Sequence, residues 1–506
     1  MPLRDYQNLP VLPLIGGTFI LFAFGSYLVS WYRLRHIKGP LLASFSYLWI
    51  LYTTTRWQQY HRYGDLFKKY GKLVRIGPNE VITGSADVIR RMSAARSRYE
   101  RSDYYSSARL VPPRESLINL ISNREHDRLK GQMVHGYSGK EVPSLESDID
   151  EIIMKLVQVI RSSYASPHSF TPLDLAEFSR YFTMDVITKI AYGTEFGYLE
   201  AQSDVGEFIK GSLKHLEVAV LCSEIPWCSA VFANPLALKL FAPKHTDKAG
   251  FGRALGIARD VVAKRFGPKA EDKQDMLGSF VRHGVTQSQC EAEIPFQIIA
   301  GSDTTAAAIR TILLSVITSK QAYGKLQHEI DTAIAQNRIS TPVTADQGRQ
   351  LPYLQAVIYE GLRIRPPATL IGMKKTPPEG DTIDGYFVPG GTKVATSLKP
   401  AMMDVALFGN DAEVFRPERW LNVEPQKRQL MINTVELVFS TGRWGCLGRP
   451  VALLELNKIF IELLRNFDFQ VINPRRPVDQ EFNMNIWMEE GMWVKVANRQ
   501  VPDTFM

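Results

Sequence analysis

One cysteine in a glycine-rich stretch is the residue of this 506-residue chain that is best suited to chemistry. Gly442 and Gly445 precede Cys446, and Gly448 follows it. Glycines permit a tight loop with inward-turned N–H groups, and the apolar periodicity beyond residue 450 predicts a helix that starts directly afterwards. Amide donors and a helix N-terminus both stabilise a thiolate over a thiol. The pattern therefore indicates a thiolate ligand, although a lone cysteine is more often an inert buried side chain.

The stretch Phe439–Gly448 (FSTGRWGCLG) resembles the signature of the cytochrome P450 family, F-x-x-G-x-R-x-C-x-G. The resemblance implies that Cys446 ligates the iron of haem b, within a cofactor-binding loop that includes Phe439 and Gly442. Trp444 stands where the family has an arginine that pairs with a haem propionate. Either Arg443 takes over by a local shift, or the indole N–H of Trp444 makes a weaker bond.

A second motif, Ala300–Thr305 (AGSDTT), matches the family's A-G-x-D-T-T. On a helix Ala300, Gly301 and Thr304 share one face, where small residues leave space for dioxygen. Asp303 and Thr304 are expected to relay protons during catalysis. The alternative, a threonine-rich patch on an ordinary helix, is disfavoured by the cysteine loop downstream.

The resemblance also implies a structural triad. Glu360 and Arg363 lie one helical turn apart and suit an internal ion pair. Arg419 lies in Phe415–Trp420 (FRPERW), which is similar to the family's F-x-P-E-R-F, and would complete the triad. These residues are expected to hold the scaffold and to do no chemistry.

Three further residues are expected to contact a haem propionate by the same resemblance. His126 and Lys130 end a segment that looks like the family's W/H-x-x-x-R, with lysine keeping the charge but losing the bidentate fork of arginine. Lys374 falls where another propionate-binding arginine often lies. The alternative for both lysines is a solvated surface position.

Composition narrows the possible partners. Net charge is +8 and the pI is about 9.1, but no Lys/Arg block with interleaved aromatic residues occurs, which argues against nucleic acid. A membrane surface or an acidic protein suits the charge better. The four cysteines are too few and too scattered for a disulfide framework, which indicates a reducing compartment, and none has the C-x-x-C spacing of a structural zinc or thioredoxin-like site. The cysteines are Cys222, Cys228, Cys290 and Cys446.

Residues 11–32 contain no charge and would span about 33 Å as a helix, enough to cross a bilayer core. Basic residues follow directly, so the positive-inside rule predicts an endoplasmic-reticulum anchor with a cytosolic catalytic domain. A cleaved signal peptide is disfavoured because its charges would precede the apolar run. The expected organisation is a flank (1–10), a transmembrane anchor (11–32), a basic linker (33–45) and a haem-thiolate domain (46–506).

The fold is expected to be mainly α with a minor β part. Leu175–Tyr192 and Ser302–Lys320 lack glycine and proline and predict long helices. Short strands are predicted near Leu73–Ile76, Val81–Thr83 and Thr382–Phe387. The resemblance implies the cytochrome P450 fold behind the anchor.

The expected function is that of a monooxygenase that inserts one oxygen atom of O₂ into a hydrophobic small molecule. The chain has no dinucleotide or Walker-type phosphate loop, so electrons should come from a separate NADPH–cytochrome P450 reductase. Tyr70–Glu80 and Ile383–Thr392 look like fungal members, among them pisatin-demethylase-like enzymes of secondary metabolism. The alternatives are a haem-thiolate isomerase or dehydratase that needs no O₂, and a non-catalytic haem-binding protein.

Overall fold

The computed structural model describes residues 17–18, 25–26, 28–107, 111, 114–166, 170–232, 234–483 and 485–500. Most of this chain is helical and a smaller part forms short strands, as the sequence predicted. The α-helices in chain order are α1 (Leu41–Phe45), α2 (Leu48–Thr55), α3 (Gln59–Tyr70), α4 (Ala86–Ser93), α5 (Asp103–Ser107), α6 (Asn123–Tyr137), α7 (Leu145–Ser163), α8 (Leu175–Tyr192), α9 (Tyr198–Ala201), α10 (Phe208–Glu224), α11 (Pro226–Phe232), α12 (Pro235–Phe241), α13 (Gly250–Ala263), α14 (Met276–Arg282), α15 (Gln287–Ile317), α16 (Lys320–Ala335), α17 (Ala345–Arg349), α18 (Pro352–Ile364), α19 (Lys399–Met402), α20 (Val405–Phe408), α21 (Pro425–Val435) and α22 (Arg449–Asn466). Short 3-10 turns lie at Val205–Glu207, Pro417–Trp420, Glu436–Phe439 and Gly442–Trp444.

The strands are β1 (Leu73–Arg75), β2 (Glu80–Thr83), β3 (Glu100–Arg101), β4 (Leu173–Asp174), β5 (Leu370–Lys375), β6 (Asp381–Ile383), β7 (Tyr386–Val388), β8 (Lys393–Ser397), β9 (Phe467–Val471), β10 (Gln480–Asn483), β11 (Trp487–Glu490) and β12 (Trp493–Asn498). The largest sheet has the order β1-β2-β8-β5-β3, and only its β2–β8 pair is parallel. Asp384 and Gly385 join β6 to β7 with positive φ angles of 49° and 87°, as a two-residue type I′ hairpin requires.

The long helix α15 packs against α8 at the centre of the fold. A capping box starts α15, in which the Thr286 hydroxyl and the Gln289 side chain bond each other's backbone N–H. A Cβ atom on Gly301 would come within 2.9 Å of the Ile187 side chain on α8. Glycine is therefore needed for close helix packing at this position. The expectation that Ala300, Gly301 and Thr304 leave space for dioxygen stays a prediction.

The predicted anchor, residues 11–32, lies largely outside the described residues. Residues 28–34 are helical, and within the described part of the chain no helix is both long and apolar enough to cross a bilayer. Leu34 and Ile37, which follow this segment, are buried in a cluster with β-sheet residues such as Leu73 and Val81. The end of the predicted anchor thus packs on the globular body.

A buried arginine attaches this segment to the sheet. The Arg75 guanidinium donates to the carbonyl oxygens of Ser30 and Trp31 at 3.2 Å each, and to those of Ser44 at 3.1 Å and Pro78 at 2.7 Å. Burial lowers the pKa of Arg75 to about 10. The cation thereby links the helical residues 28–34 and the end of α1 to the strand that carries Arg75.

Candidate active site

The Cys446 loop is tight because its backbone closes on itself. The Cys446 N–H donates to the Phe439 carbonyl at 2.8 Å, and the Gly445 N–H donates to that of Gly442 at 3.1 Å. Gly442 has φ of +59°, and a Cβ atom there would lie 2.2 Å from the Ser93 carbonyl oxygen. Only glycine fits this position without displacing the backbone of the neighbouring segment.

Opposing influences act on the pKa of the Cys446 thiol. Its side chain is accessible to solvent, yet surrounding protein desolvates it and raises the pKa of the thiol. The N–H groups of Gly448 and Arg449 and the Lys130 ammonium oppose that rise. The predicted stabilisation of the thiolate is therefore present, but burial outweighs it until a metal ion binds the sulfur. A Cβ atom on Gly448 would lie 3.7 Å from Cys446 Sγ, so glycine keeps this side of the sulfur open.

Lys130 holds the Cys446 loop by hydrogen bonds to its backbone. Its Nζ donates to the carbonyl oxygens of Arg443 and Gly445, at 2.7 Å each. Burial lowers the pKa of Lys130, whereas a Cys446 thiolate would raise it. The structure thus uses the lysine to position the loop, a role that differs from the expected propionate contact.

Arg443 and Trp444 differ in their hydrogen-bond partners. Arg443 Nε lies 3.1 Å from Asp127 Oδ2, and its terminal nitrogen donates to the Ala95 carbonyl at 2.7 Å. Trp444 is buried, and its indole Nε1 has no hydrogen-bond partner among the described residues. Of the two alternatives, the geometry favours Trp444, because its N–H awaits an acceptor and Arg443 is already paired.

Basic side chains from three elements surround the Trp444 ring. The ring centroid of His126 lies 4.3 Å from that of Trp444. The Arg101 guanidinium carbon lies 4.3 Å from the Trp444 ring centre, and Lys374 Nζ lies 5.9 Å from it. We call His126, Arg101, Lys374 and Trp444 the basic cluster.

Burial makes the basic cluster dependent on a counter-charge. Burial and the Arg101 charge lower the pKa of Lys374 to about 7 and that of His126 to about 4. Lys374 bonds only the Ser93 hydroxyl, and Arg101 Nε has no partner among the described residues. An anion at this place would relieve the repulsion and satisfy the free N–H groups.

Sequence reasoning missed Arg101. Its terminal nitrogen donates to the Leu117, Ile118 and Leu120 carbonyl oxygens at 2.7, 3.0 and 3.1 Å. The residue belongs to no recognised motif and lies on β3, more than 300 positions before the cysteine. Only the pairing of β3 with β5, which sets Arg101 opposite Lys374, brings it to the cluster.

Asp303 and Thr304 lie in the middle of α15. The half-buried Thr304 hydroxyl donates to the Ala300 carbonyl at 2.8 Å, so its oxygen remains able to accept. Burial raises the pKa of Asp303, opposed by Arg180, whose Nε lies 3.7 Å from its carboxylate, and by Arg310. A carboxyl group that is buried beside cations can both hold and release a proton.

Glu360, Arg363 and Arg419 meet in the protein core. Arg363 makes a bidentate pair with Glu360 at 2.8 and 2.9 Å, and Arg419 Nε donates to Glu360 at 2.8 Å. Trp420 Nε1 adds a bond at 2.9 Å. Arg363 also donates to the carbonyl oxygens of Met402 and Ala412, which ties α18 to the segment that leads to the cysteine loop.

Comparison with known proteins decides the family. The profile described as Cytochrome P450 matches residues 39–492. The chain belongs to the cytochrome P450 family. Cytochrome P450 monooxygenase ABA1 of Pyricularia oryzae is 44% identical over 483 residues, which cover 94% of each chain. Cytochrome P450 monooxygenase aba1 of Botryotinia fuckeliana is 42% identical over 473 residues, 92% of each chain. This P450 is accordingly an oxidoreductase of the monooxygenase type.

A third relative matches this P450 over only about half of its own length. Cytochrome P450 monooxygenase mpaDE of Penicillium roqueforti is 30% identical over 461 residues, which are 87% of this P450 and 53% of that protein. The family implies a haem with a cysteine thiolate ligand and electrons from a reductase. The residues of this P450 fit that group, because an accessible thiol, an unpartnered indole N–H and a buried basic cluster lie together.

Proposed function

We propose that this P450 is a haem-thiolate monooxygenase that oxidises a hydrophobic small molecule. Cys446 would supply the thiolate ligand of the haem iron, and the basic cluster would hold the haem carboxylates through Trp444 Nε1, Arg101, Lys374 and His126. A haem bound through a cysteine thiolate would supply the oxygen chemistry, in which O₂, two electrons and two protons give one oxygen atom inserted into the substrate and one molecule of water. The observation that carries this proposal is the accessible Cys446 thiol in a tight loop that Lys130 holds by hydrogen bonds to two backbone carbonyl oxygens.

Proton supply is proposed to depend on Asp303 and Thr304. Burial raises the pKa of the Asp303 carboxyl, and the charges of Arg180 and Arg310 oppose that rise. The Thr304 oxygen can accept a hydrogen bond because its own proton is held by Ala300. The pair could therefore relay protons to oxygen bound beside this part of α15.

Electrons are proposed to come from NADPH through a separate cytochrome P450 reductase. The chain carries a net charge of +8, and lysine and arginine exceed the acidic residues. An acidic flavin domain suits such a surface. The uncharged run at residues 11–32 is proposed to anchor the enzyme in the endoplasmic reticulum, next to that reductase. Deletion of residues 1–32 should move the protein from the carbonate-resistant membrane fraction to the supernatant.

The substrate is proposed to be a fungal secondary-metabolite intermediate. Support comes from the relatives, which are fungal proteins named monooxygenases, and from the aliphatic and aromatic residues of α10 and the segment after it. Identity and regiochemistry of the oxidation need product analysis. Incubation of anchored protein and reductase with lipophilic metabolites, read by mass shift, identifies the reaction.

The decisive experiment is the spectrum of the reduced, CO-bound protein. Wild type should show the thiolate-specific band near 450 nm that names the family, and Cys446→Ser should lose it. Cys290→Ser, which replaces a buried thiol of α15, should keep the band and serves as the control. A Cys446→Ser protein that retains the band would remove the ligand assignment. NADPH consumption coupled to product separates a monooxygenase from an isomerase or dehydratase.

A further inference from the structure

Three side chains that are able to bind a metal ion meet between α6 and α14. They are His135 near the end of α6, Glu141 in the turn between α6 and α7, and His283 directly after α14. One ligand atom from each, an imidazole nitrogen or a carboxylate oxygen, lies within 4.8 Å of the other two. Within the part of the chain that the structure describes, no other histidine, cysteine and acidic side chains form such a group of three.

Close packing of α6 on α14 brings the two histidines together. A Cβ atom on Gly136 would lie 3.0 Å from the Phe280 ring and 3.3 Å from the Met276 carbonyl oxygen, so glycine allows the helices to approach at this point. His135 precedes Gly136, and its ring stacks on that of His283 with the centroids 4.5 Å apart and the planes 13° from parallel. The packing of the fold therefore determines that these two imidazoles are neighbours.

Backbone hydrogen bonds hold His283 in place. Its N–H donates to the Ser279 carbonyl at 3.1 Å, and its own carbonyl accepts from Gln132 Nε2 on α6 at 2.9 Å. Gly284 follows with φ of +77°, the left-handed conformation that commonly ends a helix. The imidazole of His283 thus extends from a helix end that is bonded directly to α6.

The Glu141 carboxylate is oriented by three partners. Its Oε1 lies 2.7 Å from His283 Nε2, and its Oε2 accepts from the Ser279 hydroxyl at 2.8 Å. Arg282 Nη2 lies 3.4 Å from Oε2, and the same guanidinium donates to Asp272 at 2.8 Å. The charges of Glu141, Asp272 and Arg282 sum to one negative charge, which favours a cation beside the two imidazoles.

His135 distinguishes this group from an ordinary pair of hydrogen-bonded side chains. Glu141 and His283 alone would satisfy each other. The ring nitrogens of His135 form no hydrogen bond with the described residues, and its side chain is half-buried, as are the other two. A third ligand atom without a protein partner is therefore held next to a carboxylate and a second imidazole.

The ligand set matches a zinc-class ion and not calcium or magnesium. Imidazole nitrogen and carboxylate oxygen bind Zn²⁺ and related transition metals, whereas Ca²⁺ and Mg²⁺ take oxygen ligands. Around a tetrahedral ion with bonds of about 2.0–2.1 Å, ligand atoms lie about 3.3 Å apart, so a side-chain movement of about 1.5 Å or less closes the group. Because the three side chains are half-buried, water can complete the four ligands.

We propose that His135, Glu141 and His283 form a binding site for one divalent transition-metal ion of the zinc class. The ion joins the end of α6 to α14 and to the turn before α7. Since α6 also carries Lys130, which holds the Cys446 loop, the ion stabilises a helix that supports the candidate active site. The metal site takes no part in the oxygen chemistry and is independent of the proposed function.

The test measures Zn²⁺ binding to the untagged, full-length, haem-loaded protein after dialysis against a chelator. Isothermal titration calorimetry gives the number of sites and the Kd, and X-ray absorption at the zinc edge identifies the ligands without interference from haem iron. Wild type should bind one Zn²⁺ with a Kd of about 1 μM or below. The zinc spectrum should show two imidazoles and oxygen ligands at about 2.0–2.1 Å, and no sulfur.

His135→Gln and His283→Gln should each weaken Zn²⁺ binding by about 100-fold or more, since loss of an outer partner of a metal ligand already costs about 10- to 100-fold. His245→Gln is the matched control and should bind as wild type does. Its imidazole is also hydrogen-bonded, to an arginine at 2.8 Å, but belongs to no group of three ligands. Zn²⁺ should raise the melting temperature of wild type and of this control but not of His135→Gln.

Arg282→Gln should act in the opposite direction. It removes a cation that lies 3.4 Å from Glu141, so Zn²⁺ binding should become about threefold tighter at low ionic strength. A role of Glu141 in the fold alone predicts no such gain. The result therefore separates metal binding from a structural contact.

Equal Zn²⁺ affinity in wild type and His135→Gln would overturn the inference, as would sulfur ligands in the zinc spectrum or a wild type that binds no Zn²⁺. Circular dichroism of the zinc-free variants should match wild type, which shows that lost binding is not lost folding. The zinc spectrum of wild type decides the question even where a variant does not fold.

Discussion

The guanidinium carbon of Arg101 lies 4.3 Å from the centre of the Trp444 ring, and both side chains have one N–H group without a partner among the described residues. A cation over an indole face is favourable, but two unpartnered donors in a buried place are not. The two N–H groups can therefore donate to a hydrogen-bond acceptor that the described residues do not provide. This relationship underlies the first prediction.

Trp444→Phe should weaken haem retention, whereas Arg443→Gln should leave it unchanged. Phenylalanine keeps the ring contacts with Arg101 and His126 but removes the Nε1 donor, at a cost of about 1–3 kcal/mol. Arg443 is already occupied by Asp127 and Ala95. The rate of haem transfer to excess apomyoglobin measures the effect. Faster transfer from Arg443→Gln than from Trp444→Phe would reverse the assignment.

Thr304→Ala should uncouple NADPH oxidation from product formation by about tenfold or more, because general acid–base groups contribute factors of this size. Thr332→Ala is the control, since its hydroxyl makes the same bond to the carbonyl four residues earlier, 2.7 Å to His328, but on α16. The ratio of product to NADPH consumed, with hydrogen peroxide measured beside it, reports the coupling. Equal coupling in the two variants would exclude the proton role of Thr304.

Glu360→Gln should destabilise the protein by about 3–5 kcal/mol, because Arg363 and Arg419 would remain buried cations without the negative charge of Glu360 beside them. Glu379→Gln, which breaks an exposed pair with Arg98, should cost at most about 1 kcal/mol. Urea unfolding followed by circular dichroism gives both values. A small effect at Glu360 would mean that Trp420 and the backbone carbonyls satisfy the arginines alone.

Acid should destabilise the haem-free protein through His126. Its pKa in the folded state is lowered to about 4 by burial and by Arg101, below the ordinary 6.5. Between these two pKa values His126 binds a proton in the unfolded chain but not in the folded protein. The free energy of unfolding therefore falls as pH drops from 6.5 toward 4. The loss between pH 7.5 and 5 should be about 2 kcal/mol.

His126→Gln should remove this part of the pH dependence while it keeps a polar side chain beside Trp444. Urea midpoints at the two pH values, for wild type and variant, provide the comparison. If both proteins lost the same stability on acidification, another group would be responsible.

Local motifs explain why much of the site could be predicted. The cysteine loop, α15 and the Glu360–Arg363 pair are short patterns whose geometry depends on neighbours in the chain. Arg101 could not be found this way, since the pairing of β3 with β5 places it opposite Lys374. The partners of Lys130 are backbone carbonyl oxygens, which no residue type reveals. The contact of Gly301 with Ile187 on α8 is likewise a feature of helix packing that the motif alone does not reveal.

Arg75 has a consequence for how the chain can change over evolutionary time. Every bond it donates goes to a backbone oxygen, so the identities of Ser30, Trp31 and Ser44 are free to drift without loss of that attachment. Replacement of the arginine itself would release all of these contacts at once. The attachment therefore tolerates substitutions at the residues whose carbonyl oxygens accept these bonds, but not at Arg75.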